Sequence, residues 1–278
     1  MEFQRATWRL IKTEAAAGSW NMAVDEAILK AVGRGEVQPT LRLYSWIPAC
    51  ISLGYAQPAS DIDMNKLEEK GWEIVRRITG GRAILHTDEL TYSVCGPDDE
   101  PRLAGGILPS YENLSRAILQ ALISLDLPVT AVPQRDKESN GIKNPICFEV
   151  KSNYEISVDG KKMVGSAQSR RKEGVLQHGT LPLYGDLTRI IEVLTRIEPA
   201  KKQKFRDRML QKAATVEMIL GKRITWEQAA EAMKLGFEQE LNIKLIEAEL
   251  TQVELRDAEI LAKEKYGKID WTKKEVSA

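Results

Sequence analysis

Apolar and polar positions alternate with a changing period along this chain, and each change marks an element. Ser19 stands where it can cap a helix, and Met22, Ala23, Ala27 and Leu29 continue an amphipathic helical pattern behind it. Residues 41–46 and 51–55 read as short strands separated by Pro48. Residues 72–78 and 83–94 read as strand-like runs on either side of a Gly80-Gly81 break. Tyr111, Leu114, Ile118, Leu122 and Leu125 share one face of a helix predicted over 110–126. The stretch 133–147 changes character: polar breakers and an Asn144-Pro145 turn signal predict a long loop that ends on Cys147. Residues 154–158 alternate, Asp159-Gly160 predicts a hairpin turn, 162–167 return, and 175–183 form another strand. Beyond Leu187 the pattern is mainly helical, over 187–197, 206–220, 225–240 and 251–265, with one strand-like piece at 242–246. Strands and helices mixed without strict alternation predict an α+β fold.

Composition narrows the function classes. Aromatic residues are 6% of 278, so the core is expected to be aliphatic. Forty basic residues balance forty acidic ones, so the chain lacks the overall field of a dedicated nucleic-acid binder, and any charged partner must be met by a local patch. No apolar run has the length of a membrane span or signal-peptide core. Cys50, Cys95 and Cys147 form no CxxC pair and leave an odd count, which reads as free thiols in a reducing cytoplasm. With His86 and His178 as the only histidines, no cluster has metal-site spacing, and neither metal nor cofactor is expected.

The candidate chemistry starts from Cys147. Cys50 and Cys95 lie in apolar strand contexts and read as small buried hydrophobes. Cys147 instead closes a polar loop, where reactive groups concentrate. Period-two alternation puts Lys162 on the face of Val164 and Ser166; if that face looks inward, its ammonium favours a neighbouring thiolate, and otherwise it is a solvated surface charge. In Arg76-Arg77-Ile78-Thr79-Gly80-Gly81-Arg82-Ala83-Ile84-Leu85-His86 the glycines let backbone approach a ligand and the arginines supply donors, though a plain hairpin reads equally well. Alternation allows one of Arg76 and Arg77 to face a pocket and leaves the other for its rim. Gly165-Ser166-Ala167-Gln168 suits tight sheet packing or ligand contact, and His178 beside Gly179 suits a structural strand histidine or a site residue. Arg170, Arg171 and Lys172 read as a solvated turn, or with Arg82 as a local basic patch.

Taken in order, several segments resemble the biotin/lipoate protein ligase superfamily and, within it, the LipM-type octanoyltransferases. They are Asn21-Met22-Ala23-Val24-Asp25-Glu26, Arg76 through His86, Asn144-Pro145 with Cys147, Lys162 with Gly165 to Gln168, and Gln177-His178-Gly179; the likeness extends to Tyr266 and Trp271. The resemblance implies a mixed-sheet catalytic domain flanked by helices, expected here over 1–248, with a helical extension over 249–278 packed on it. It implies an acyl pocket lined by Gly80 and Gly81, with Arg77, Arg82, His86, Gly165, Ser166, Ala167, Gln168, His178 and Gly179 as substrate-binding candidates. Cys147 is then the expected acyl-thioester nucleophile and Lys162 its partner. The expected donor is octanoyl-acyl carrier protein, without ATP, because a thioester is already activated. The expected acceptor is the H protein of glycine cleavage or another lipoyl domain. Two relatives of this chemistry remain as alternatives: an amidotransferase between lipoyl domains and an ATP-dependent lipoate ligase.

Overall fold

A computed structural model describes residues 3–133, 154–195 and 197–274; Cys147 and its loop lie outside them. The chain opens with β1 (Ala6–Lys12), α1 (Gly18–Gly33), β2 (Thr40–Tyr44), β3 (Cys50–Leu53), α2 (Met64–Glu69) and β4 (Glu73–Arg76). It continues with β5 (Ile84–His86), β6 (Glu89–Gly96), α3 (Ile107–Ser124), β7 (Thr130–Pro133), β8 (Tyr154–Val158) and β9 (Lys161–Lys162). Then come β10 (Gly165–Arg171), β11 (Gly174–Pro182), α4 (Lys202–Lys212), α5 (Val216–Leu220) and α6 (Trp226–Leu241). Last are β12 (Ile243–Glu247), α7 (Gln252–Leu261) and α8 (Ile269–Lys273). The fold is α+β.

Six strands form the main sheet in the order β10-β11-β6-β2-β1-β12. It is mixed, because β1 runs parallel to both β2 and β12 while the other pairs are antiparallel. Alternation explains its two covers. Trp8, Leu10, Leu41, Leu43, Leu90, Tyr92 and Val94 join a core with Leu114 and Ile118 of α3 and Met233 and Phe237 of α6. The intervening Ile11, Tyr44, Cys95 and Leu176 pack with Met22, Val24 and Ile28 of α1, together with Ala258 and Leu261 of α7. Two three-stranded sheets, β4-β3-β5 and β7-β8-β9, flank this body. Asp159 and Gly160 take positive φ values of 49° and 75° between β8 and β9, the conformation a two-residue hairpin favours.

Several sequence-based boundaries are corrected. Ser19 lies inside α1, whose start has no capping side chain of its own; Glu73 on β4 accepts from the Gly18 N–H at 3.0 Å instead. Residues 83–94 split into β5 and β6. Residues 187–197 hold a 3-10 helix, Leu187–Val193, rather than an α-helix. The helix expected over 206–220 breaks before Thr215, whose side chain caps α5. The return strand at 162–167 also breaks. Met163 and Val164 are both buried in the same core, so alternation stops there, and the chain leaves β9 for the edge of the main sheet. The parity that linked Lys162 to Ser166 therefore does not hold along one strand.

The C-terminal residues are tied back by polar contacts. Arg9 on β1 grips Glu254 on α7 at 2.5 Å, and Lys265 and Tyr266 meet Glu26 of α1. Arg76, fully buried, donates to the carbonyls of Gly54, Tyr55, Gln57, Trp271 and Thr272 at 2.7–3.2 Å, while the Trp271 indole donates to its carbonyl at 2.8 Å. Arg76 is thus an internal clamp and takes no part in a rim.

Candidate active site

The main sheet and the β4-β3-β5 sheet meet around a narrow crevice of about 340 Å³, open solvent at its mouth included. Ser52 from β3, Ile84 and His86 from β5, and Arg77 just past β4 form one side. Gly165, Ser166 and Ala167 from β10 and His178, Gly179 and Thr180 from β11 form another, with Met22, Tyr44, Trp46 and Thr91 between them. Seven expected site residues converge here: Arg77, His86, Gly165, Ser166, Ala167, His178 and Gly179. Sheet register brings them together, since Ser166 lies opposite Gly179 and Ala167 opposite His178.

Arg77, rather than Arg76, reaches the crevice. Its guanidinium donates to the carbonyls of Gly80 and Arg82, both at 2.8 Å, and to the carbonyl and hydroxyl of Ser52, at 2.7 and 3.0 Å. The glycine loop therefore aims an arginine. Gly81 has φ of +92°, and a Cβ there would meet the Arg77 guanidinium at 2.9 Å. Gly54 packs so closely under the loop that a Cβ would sit 2.0 Å from the Gly81 carbonyl oxygen. Gly80, Gly81 and Arg82 shape the site from behind and do not wall the crevice. Gln168 is also outside it, bonded to Gln177 at 3.0 Å and to Ser110.

Two polar networks border the crevice. Asp25 of α1 accepts from Arg42 at 2.8 Å, Ser93 at 2.8 Å and Tyr44 at 2.9 Å, and meets His178 Nδ1 at 3.1 Å. His178 Nε2 meets the Thr79 hydroxyl at 2.7 Å. Burial works to raise the Asp25 carboxyl, but His178, Arg42 and Ser93 outweigh it and hold it below the usual carboxylate range. Burial lowers His178 despite the pull of Asp25, so it stays neutral. In the second network His86 Nδ1 meets Glu89 at 2.6 Å and its Nε2 meets the Ser52 hydroxyl at 2.7 Å. Trp46 stacks on the His86 ring at 3.9 Å and donates to Thr91, which donates on to Glu89. The Thr180 hydroxyl is buried in the crevice wall with no hydrogen-bond partner among the described residues, so it is open to a polar group of a ligand.

Cys50 and Cys95 are buried, and burial first, then nearby carboxylates, push both thiols well above their ordinary range. Lys162 is 3% exposed and faces Glu155 at 3.9 Å; it stands three residues before Gly165 but is not among the crevice walls. Arg170 is bound to the carbonyls of Leu103 and Gly106, at 2.9 and 3.2 Å, whereas Arg171 and Lys172 are exposed. Among the described residues no cluster could hold a metal ion, and no helix is long and apolar enough to cross a membrane. Sequence reasoning missed Asp25, Tyr44, Trp46, Ser52, Glu89 and Thr180 as site residues. A buried acid inside an apolar helical stretch was the available signal for Asp25; strand register alone reveals the others.

This fold, with a crevice where a glycine loop meets the main sheet, agrees with what comparison shows. Residues 18–238 match the family described as lipoyl protein ligase A/B catalytic domain, and the chain belongs to that family. The octanoyltransferase LipM of Staphylococcus aureus is 38% identical over 95% of this chain and 98% of its own length. That of Bacillus subtilis is 36% identical over 98% and 99%. Among solved structures, a bi-partite lipoate protein ligase from Thermoplasma acidophilum superposes with a TM-score of 0.78 at 24% identity, covering 98% of each chain.

Proposed function

We propose that this chain is an octanoyltransferase of lipoate biosynthesis, moving octanoyl from acyl carrier protein through a thioester on Cys147 to a lysine of a lipoyl-domain protein, with the H protein of glycine cleavage as the first candidate acceptor. The observation that carries the reading is 36% and 38% identity, over nearly the whole of both chains, to proteins named octanoyltransferase LipM. The crevice supports it chemically. Met22, Tyr44, Trp46 and Ile84 offer apolar surface for a seven-carbon tail, and each buried CH₂ contributes about 0.8 kcal/mol. Thr180 offers a hydroxyl without a partner among the described residues to a polar group of the ligand, while the donors of Arg77 are engaged by Ser52, Gly80 and Arg82 and fix the wall.

Chemistry orders the steps. Exchange of one thioester for another is nearly neutral in free energy, and amide formation from a thioester runs downhill, so no ATP is needed. In the first step the Cys147 thiolate attacks the donor carbonyl and displaces the carrier thiol. In the second the acceptor amine attacks the acyl-enzyme. Lys162, which the resemblance pairs with Cys147, is assigned to stabilising negative charge on sulfur or on the tetrahedral oxyanion. Arg82, Arg171 and Lys172 supply the rim that steers an acidic carrier.

The test is octanoylation of an apo lipoyl domain, followed by mass. Transfer from octanoyl-acyl carrier protein without nucleotide is expected. Transfer only from free octanoate or lipoate with ATP would replace the reading with a ligase, and transfer only from an octanoylated lipoyl domain would replace it with an amidotransferase.

A further inference from the structure

Polar side chains in the crevice wall are engaged with the protein itself, with one exception among the described residues. The guanidinium of Arg77 is held by Ser52, Gly80 and Arg82. Ser52 and His86 are bonded to each other at 2.7 Å, and His86 continues to Glu89. Trp46 donates to Thr91, which donates to Glu89. Tyr44 donates to Asp25, and His178 joins Asp25 to Thr79. Ser166 is bonded to Tyr92 at 2.7 Å. Thr180 is fully buried, and its hydroxyl meets no hydrogen-bond partner.

Strand parity sets the face on which that hydroxyl lies. Leu181 enters the core shared with α3 and α6, whereas Leu176 packs with α1. Thr180 and His178 share the face of Leu176, the one that borders the crevice. In register Thr180 lies between Thr91 of β6 and Gly165 of β10. Thr91 is bonded to Trp46 and Glu89, and Gly165 has no side chain, so neither neighbour supplies a partner. A buried hydroxyl left unpaired is destabilising relative to an apolar group of the same shape, and an acceptor on a ligand relieves that penalty.

We propose that Thr180 is a substrate-binding residue whose hydroxyl donates to the carbonyl oxygen of the octanoyl group, and that this bond fixes the direction in which the acyl chain enters the crevice. This rests on the octanoyl-transfer reading above. Beyond its carbonyl the octanoyl group is hydrocarbon, so the carbonyl oxygen is the one strong acceptor it can bring to a buried donor. Laid the other way round, the chain would press methylenes on the hydroxyl and leave it unpaired. The hydroxyl keeps its proton throughout; it holds the carbonyl and takes no part in bond making.

The test separates the hydroxyl from the shape of its side chain. Thr180→Val removes the hydroxyl at nearly constant volume, and Thr180→Ser keeps it. Octanoyl-acyl carrier protein serves as donor to an apo lipoyl domain, and the octyl thioether of the same carrier, which lacks only the carbonyl, serves as competitive inhibitor. Thr180→Val is expected to raise the Tm of the ligand-free protein by about 2 °C, because an unpaired buried hydroxyl is gone. Its kcat/KM for the thioester is expected to fall about tenfold, while its inhibition constant for the thioether stays within about twofold of wild type. Thr180→Ser should stay within about threefold of wild type in both. A side chain that merely fills space would lower Tm when altered and would weaken both probes alike. Equal losses on thioester and thioether, kcat/KM within twofold of wild type in Thr180→Val, or a Thr180→Val protein without a melting transition would each overturn the inference. A wild type that transfers nothing from the thioester would overturn the octanoyl-transfer reading, and the inference with it.

Discussion

Asp25 shows how one side chain can hold a site without reacting. Its carboxylate and Arg42 are both essentially inaccessible to solvent, so removing either charge strands the other. Asp25→Asn is expected to cost about 3–5 kcal/mol in urea unfolding, because an unpaired buried guanidinium remains. The pH dependence has a definite sign. Asp25 is depressed in the folded state, so its contribution is complete above the unfolded value near 3.8 and is lost as pH falls through its lower folded value. His178 is also depressed, with the same sign of consequence: the unfolded chain takes up a proton below about 6.5, where the folded chain resists doing so. Stability therefore declines as pH drops below 6.5, and His178→Gln should show a smaller decline over that range in the same measurement. An equal decline in both proteins would contradict the assignment of a neutral, buried His178.

At the scale of elements, the clamp around Arg76 joins three separate pieces: the turn after β3, β4 itself and the C-terminal α8. Arg76→Met leaves five carbonyls short of a donor and is expected to cost at least about 3 kcal/mol. Arg77 follows directly in the chain, so the same variant should weaken octanoyl transfer more than its stability loss alone explains. Full activity in a folded Arg76→Met protein would show that clamp and site are uncoupled. The clamp also marks where sequence was and was not readable. Alternation revealed β2, β6, β11 and β12 of the main sheet but not β1, and the Thr225 and Thr251 caps agree with helices expected at 225–240 and 251–265. Alternation failed at Met163-Val164, where two neighbours enter one core; at Arg76-Arg77 it held, with Arg77 alone on the crevice, but Arg76 is buried in the clamp and not on a rim. The convergence of Arg77, His86, Gly165 to Ala167, His178 and Gly179 was anticipated by motif order. Ser52, Trp46 and Glu89 were silent because their roles come from pairing between strands distant in sequence.

For the whole molecule, zero net charge leaves carrier recruitment to a local surface. With Arg76 internal and Arg170 held by backbone carbonyls, the proposed rim reduces to Arg82, Arg171 and Lys172. Arg171→Glu with Lys172→Glu should raise KM for octanoyl-acyl carrier protein several-fold at low salt and leave a small octanoyl thioester unaffected. Equal losses on both donors would assign these residues to the crevice. If one cysteine carries the acyl group, intact mass reveals it. After octanoyl-acyl carrier protein is added, the protein should gain one octanoyl group that hydroxylamine removes. Cys147→Ala should gain none, while Cys50→Ser and Cys95→Ser, which alter buried thiols, keep it. An adduct that persists in Cys147→Ala, or that hydroxylamine leaves in place, would contradict the account.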